Sequence, residues 1–340
     1  MGDDAYLLTN RLRIAIHPLR LIHRIQALLQ VRIVGGDAGR TGILVALQGL
    51  NAAKRKHEAP CAVDEVGPCA KRPGNLSRCD QLAGGENYHT EFRGWEYVRG
   101  HENDPWKTRP DPSWLGVPAL PASSGNDQLY NVSRTWFREE ADFPGPRTMA
   151  TAARWLNENA GQHDRFLLFI DEFDPHEPFD TPAPWANRYD PDWNDDLLTW
   201  PPYAVKTVAR GILSEREARH VRANYGSKLS MIDHWFGHLL DAVDGNGLWQ
   251  DTTIILCTDH GHYLGERDIF GKPGVPHYEP LGHTPLMIYQ PGIEPGVRDA
   301  LTTNVDINAT LYDLFALTPR HRTHGHSLQP LLDGTATHIR

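Results

Sequence analysis

Six residues, Tyr225, Leu229, Ile232, Phe236, Leu239 and Val243, recur at intervals of four, three, four, three and four. That period fits an amphipathic helix whose stripe lies in a core. Ser214 and Glu217 stand ahead of it in capping-box spacing, and Gly245 and Gly247 end it. The chain then enters Thr253–Cys257, five apolar or β-branched residues with no polar alternation, which read as a strand buried on both faces. The same grammar occurs upstream, where residues 146–160 place Met149, Ala152, Ala153 and Leu156 at helical spacing ahead of the continuous apolar run Phe166–Ile170. Leu286–Tyr289 reads as a further strand. Helices alternating with doubly buried strands define an α/β fold, with a mainly parallel β-sheet sandwiched by helices.

In an open α/β sheet, ligands collect beyond the carboxyl ends of the strands, where loop side chains converge. Phe166–Ile170 runs into a polar cluster containing Pro175-His176-Glu177-Pro178, whose two prolines restrict the backbone around the imidazole. Thr253–Cys257 breaks into Thr258-Asp259-His260-Gly261. If the loop kinks at Gly261, Asp259 and His260 turn towards one point and read as two ligands of a divalent cation. Lys272 follows Gly271 on the same loop. A strand-helix-strand crossover brings His176 and Asp259 to one edge of the sheet.

The stretch TDHGHYLGERDIFGK, Thr258 to Lys272, resembles the second metal motif of the sulfatases, members of the alkaline phosphatase superfamily. The resemblance implies that Asp259 and His260 bind the metal, that Lys272 contacts the sulfate, and that His176 faces the leaving group. It also suggests His283 as a further residue turned towards the substrate. Two more segments carry the likeness. Gly84 to Trp114 matches an architectural loop region, and His324 to Gly334 matches the signature H-G-x-S-L-x-P-L-L-x-G. The implied activity is metal-dependent hydrolysis of a small-molecule sulfate ester. Calcium and manganese are the expected cations, with zinc behind them, because His260 is a softer donor than the Asn of calcium-binding relatives.

The chain departs from the family pattern in three places. No C/S-x-P-x-R pentapeptide, source of the formylglycine nucleophile, is present; Cys69-Ala70-Lys71-Arg72 lacks the proline and the interval. The paired aspartates of the first strand are missing, since no strand precedes Asp3-Asp4. The chain also stops soon after His324–Gly334. The fold is therefore expected to be incomplete at the N-terminus and to lack the C-terminal subdomain, and an inactive chain is one expected outcome. Two other readings stay open: a phosphonate or phosphodiester hydrolase of the same superfamily, and a catalytically dead binding protein.

Charge and composition narrow the remainder. A net charge of −9 argues against a nucleic-acid partner that works by phosphate neutralisation. Residues 1–75 carry eleven Lys or Arg against six Asp or Glu, and Tyr6 is their only aromatic residue. This basic segment is expected not to be native to the fold, which leaves residues 76–340 as the sulfatase-like domain; a basic amphipathic helix within residues 11–36 is the alternative. Cys61, Cys69, Cys79 and Cys257 show no C-x-x-C spacing, which favours a reducing, cytoplasmic compartment. No apolar run approaches the length of a membrane span, and no secretory signal stands at the start. The glycine-rich stretch Gly35–Gly42 fits no phosphate-binding spacing, and His321, His324 and His326 read as loop packing rather than a zinc cluster. Oligomeric state is not set by the sequence.

Overall fold

A computed structural model describes residues 10–14, 30–36, 41–48, 92–102, 104, 106–113, 127–320 and 322–340. Eleven strands are assigned: β1 (Asn10–Ile14), β2 (Gln30–Gly36), β3 (Thr41–Gln48), β4 (Gly94–Trp95), β5 (Arg165–Glu172), β6 (Ala204–Val205), β7 (Thr252–Cys257), β8 (Tyr263–Leu264), β9 (Ile269–Gly271), β10 (Leu286–Tyr289) and β11 (Gly296–Thr302). Six α-helices accompany them: α1 (Asp127–Arg134), α2 (Pro144–Asn159), α3 (Glu215–Gly245), α4 (Glu279–Gly282), α5 (Val305–Leu314) and α6 (Gln329–Leu332).

Eight strands form one sheet in the order β11-β1-β10-β7-β3-β5-β2-β4. Its centre is parallel, because β3 pairs in parallel with both β5 and β7. The flanks are mixed: β1 pairs in parallel with β10, while β10, β11, β2 and β4 make antiparallel pairings with their neighbours. The expected α/β class holds, and the parallel pairing is concentrated where helices cover both faces. Three strands come from residues 1–75, the segment that composition set apart from the fold, and β3 occupies the middle of the sheet. At residues 10–14 and 30–36 the backbone is strand, so the amphipathic-helix alternative does not hold there. Asp3, Asp4, Cys61, Cys69, Cys79 and His321 lie outside the described residues.

The two faces of the sheet explain the unbroken apolar strands. On β5, Phe166, Leu168 and Ile170 pack with α2 and α3, while Leu167 and Phe169 face the other way. On β7, Ile254 and Leu256 join the α2/α3 side, whereas Ile255 and Cys257 pack with Ile307 of α5 and with Leu331 and Leu332 of α6. Along Phe166–Ile170 and Ile254–Cys257 both faces are apolar, so these runs leave no position for a polar residue and the period of two disappears from the sequence.

The long helix α3 starts where its cap predicts. Ser214 Oγ accepts from the Glu217 backbone N–H at 3.2 Å, and the Ser214 N–H donates to Glu217 Oε2 at 2.6 Å. Ile232, Phe236, Leu239 and Val243 of the stripe are buried against α2 and the sheet. Asn246 caps the end, and Gly247 turns the chain in the left-handed region at φ 66°. A second sheet, in the order β6-β9-β8, lies between β7 and α4 in the chain at its β8 and β9 strands, and β9 leads directly into Lys272. Among the described residues, no helix is long and apolar enough to cross a membrane.

Candidate active site

β5 and β7 run in the same direction on either side of β3, so the loops after Glu172 and Cys257 leave the same edge of the sheet. His176 sits on the first loop and Asp259 on the second. With one strand between them, these strand ends are separated by about 10 Å, twice the usual inter-strand spacing.

His176 and Lys272, 96 residues apart in sequence, meet there. Lys272 Nζ lies 2.8 Å from His176 Nε2. The other ring nitrogen, Nδ1, is 2.9 Å from the Glu177 carbonyl oxygen, which can only accept, so Nδ1 bears the proton and Nε2 accepts from the ammonium. Burial, aided by the Lys272 charge, lowers the His176 pKa to about 3 against the pull of Glu177. Lys272 is held in place by β9. Gly271 has φ 74°, and a Cβ there would stand 2.3 Å from the Tyr203 ring, so glycine lets the ring close over the strand beside the lysine.

Beneath this pair lies Glu177, 1% exposed. Its Oε2 is 3.4 Å from His176 Nδ1, 3.5 Å from His262 Nε2 and 3.7 Å from Lys272 Nζ. Tyr203 donates its hydroxyl proton to Oε1. Burial pushes this carboxyl upward, but His176, His262 and Lys272 outweigh it and hold Glu177 well below the usual carboxylate range. The sequence assigned no role to Glu177 although it adjoins His176. Its direct succession to a predicted site residue was the available signal, whereas nothing local distinguishes Tyr203 or His262.

Asp259 and His260 face each other on the neighbouring loop. Asp259 Oδ2 is 3.4 Å from His260 Nε2, and Asp259 Oδ1 accepts from the His260 N–H at 2.7 Å. His260 Nδ1 is directed at the Gly261 carbonyl at 2.9 Å, so the lone pair is on Nε2, the nitrogen nearer the carboxylate. One carboxylate oxygen and one imidazole nitrogen at that separation suit two ligands of a divalent cation. Asn304 braces the turn by donating to the carbonyls of Thr258 and Asp259 at 2.9 and 3.3 Å. Glycine at 261 has a steric reason: a Cβ would stand 1.9 Å from the Pro280 carbonyl oxygen. His283, at the end of α4, is exposed and pairs with Glu279 at 2.7 Å across one helical turn. Cys257, the only cysteine among the described residues, is buried, and burial pushes its thiol pKa far up, which makes it a poor nucleophile.

Behind the His176 loop, α3 contributes Lys228, whose ammonium donates to Asp174 Oδ1 and to the Pro178 carbonyl, both at 2.7 Å. Beside it, His101, Glu172 and Asp174 each present a possible ligand atom within 4.8 Å of the others, and all three are buried. Burial, reinforced by Asp174, raises the Glu172 pKa well above the carboxylate range, and burial also raises that of Asp174. The sequence singled out none of the three.

The chain is similar to several known proteins. The choline-sulfatase of Rhizobium meliloti is 36% identical over 125 residues, which cover 36% of this chain and 24% of that protein. An arylsulfatase of Clostridium perfringens is 27% identical over 216 residues, covering 59% of this chain and 44% of its own. The phosphonate monoester hydrolase of Silicibacter pomeroyi superposes with a TM-score of 0.50 at 25% identity, over 71% of this chain and 47% of that one. The chain thus spans less than half of the length of each of these relatives. Residues 75–317, more than half of the chain, match the sulfatase family, and the chain belongs to that family.

Proposed function

We propose that this chain carries the anion-binding half of a sulfate-ester hydrolase site, with Lys272 and His176 as substrate-facing residues and Asp259 and His260 as metal ligands. The observation that carries the reading is the 2.8 Å contact between Lys272 and His176, made by residues from two separate strand-end loops. An ammonium carries a positive charge and N–H donors only, which are the groups that suit the oxygens of a tetrahedral anion. His176 bears its proton on Nδ1, so in this arrangement it orients Lys272 and the leaving oxygen rather than donating a proton from Nε2. A divalent cation on Asp259 and His260, calcium or manganese before zinc, would supply further positive charge for the sulfate oxygens. His283 is a peripheral substrate contact in this reading, because its ring is committed to Glu279 and lies at the surface. The buried thiol of Cys257 is in keeping with a reducing, cytoplasmic setting.

The likeness to a phosphonate monoester hydrolase favours a second reading in which the ester carries phosphorus and the same lysine serves the anion. A third, a binding protein without turnover, follows if no nucleophile reaches the pocket. Two experiments separate them. Purified chain is assayed with aryl sulfate and aryl phosphonate, with and without Mn²⁺ or Ca²⁺, and sulfate binding is measured by calorimetry on the chain and on Lys272→Met. Turnover of the sulfate ester supports the first reading, and turnover of the phosphonate alone supports the second. Lysine-dependent sulfate binding without turnover supports the third. Sulfate affinity equal in chain and variant, with no turnover, overturns all three.

A further inference from the structure

We propose that His101, Glu172 and Asp174 form a second divalent-cation site, separate from Asp259 and His260, which ties the His176 loop to the end of β5. The inference goes beyond the hydrolase reading and does not rest on it.

The geometry comes first. One ligand atom from each of the three residues lies within 4.8 Å of the other two. Ligands about 2.0 to 2.3 Å from a common ion stand no further apart than that. His101, Glu172 and Asp174 are 7%, 0% and 3% exposed, so solvent does not satisfy their polar atoms.

The second observation concerns atoms left over. His101 Nε2 and Glu172 Oε2 are buried and make no hydrogen bond. Native interiors seldom leave such atoms orphaned, and an absent ion is one recognised cause. One oxygen of each carboxylate is already used: Glu172 Oε1 accepts from the Asp174 N–H at 3.1 Å, and Asp174 Oδ1 accepts from Lys228 at 2.7 Å. Lys228 therefore compensates one of two buried carboxylates, and Glu172 needs either a proton or a cation of its own.

The wall of the site fits this account. A Cβ at Gly145 would stand 2.5 Å from Asp174 Oδ2 and 2.9 Å from Glu172 Oε1, so the first turn of α2 has no side chain where the two carboxylates converge. One imidazole with two carboxylates favours a first-row ion such as Mn²⁺ or Zn²⁺ over Mg²⁺ or Ca²⁺, which prefer oxygen ligands alone. Asp174 lies two residues before His176 and is bonded to α3 through Lys228. An ion here would fix that loop from behind, and it would take no part in chemistry.

The test uses the full chain stripped of metal and titrated with Mn²⁺, bound ion being read by electron paramagnetic resonance and calorimetry. The background is Asp259→Ala, which removes the carboxylate of the other candidate ligand pair and leaves His260 alone there. The expected result is one bound Mn²⁺ per chain, at least tenfold weaker in Glu172→Gln and in His101→Gln, with modulation from a coordinated imidazole nitrogen lost only in the latter. Circular dichroism checks that each variant is folded. If a variant does not fold, Gly145→Ala replaces it, because its methyl would displace both carboxylates, and it is expected to show the same loss. No stoichiometric Mn²⁺ in the Asp259→Ala chain, or equal affinity in the folded variants, overturns the proposal and leaves a protonated Glu172 as the account of the cluster.

Discussion

Glu177→Gln changes one buried oxygen for an NH₂ of the same shape and removes the negative charge beneath Lys272. The lysine is 3.7 Å from Glu177 Oε2 and its side chain is 13% exposed. At that separation, Coulomb attraction near a protein surface is about 4 kcal/mol at an effective dielectric constant of about 20. Breaking a buried pair by removing one partner costs about 3 to 5 kcal/mol, because the remaining charge has lost its compensation. Glu177→Gln is therefore expected to lower unfolding stability by about 3 kcal/mol or more. Lys272→Met is expected to cost less than that, since the carboxylate keeps Tyr203 and His262 as partners. The double variant is expected to be less destabilised than the sum of the two, with a coupling of about 1 to 3 kcal/mol. Sulfate should act unequally on parent and variant. An anion at Lys272 supplies the negative charge that the substituted amide cannot, so saturating sulfate is expected to raise the melting temperature of Glu177→Gln more than that of the parent. The assay is denaturant and thermal unfolding of the four chains with and without sulfate. Additive losses, or a Glu177→Gln loss below about 0.5 kcal/mol, would refute the view that this carboxylate anchors the lysine.

Three further outcomes are expected. Ser214→Ala removes the side-chain cap of α3 and should cost about 1 kcal/mol in denaturant unfolding. Gly261→Ala places a methyl 1.9 Å from the Pro280 carbonyl and forces the Asp259 loop away from α4, so weaker Mn²⁺ binding is expected together with a stability loss of about 1 to 3 kcal/mol. Asp306 is pushed upward by burial, but Arg340 and the N–H groups of His326 and Thr303 outweigh that and hold its carboxyl below the ordinary value. Its contribution to stability is present above pH of about 4, the unfolded carboxyl value, and is lost as pH falls through the lower folded value. Arg340→Met should flatten the acid limb of a stability-pH profile measured by urea unfolding, and an unchanged limb would exclude the pair as its source.

Several features of the fold are legible in the sequence. The α3 stripe, its capping box and the runs at β5, β7 and β10 are local patterns, set by side chains a few residues apart, and each appears where the sequence placed it. The two site loops were legible for the same reason, since an apolar run that stops abruptly marks a strand end, and strand ends of an α/β sheet are where ligands bind. Pairing of strands was not legible. The charge and aromatic content of residues 1–75 speak only of that segment, whereas the place of β3 between β5 and β7 depends on hydrogen bonds to residues more than 120 positions away. The mixed flanks of the sheet have the same origin, because the sense of each edge pairing is set by where its connection crosses.

The sequence alone determined which residue types stand at the two strand ends: an imidazole between prolines, an acid with its neighbouring imidazole, and a lysine after glycine. Tertiary structure decided which of them touch. Lys272 found His176, Glu177 became the buried counter-charge beneath the lysine, and His283 turned to Glu279 one helical turn away. The physical reason is that burial and charge compensation depend on distances through space, and the chain brings together residues 96 positions apart only once the sheet has aligned its strand ends.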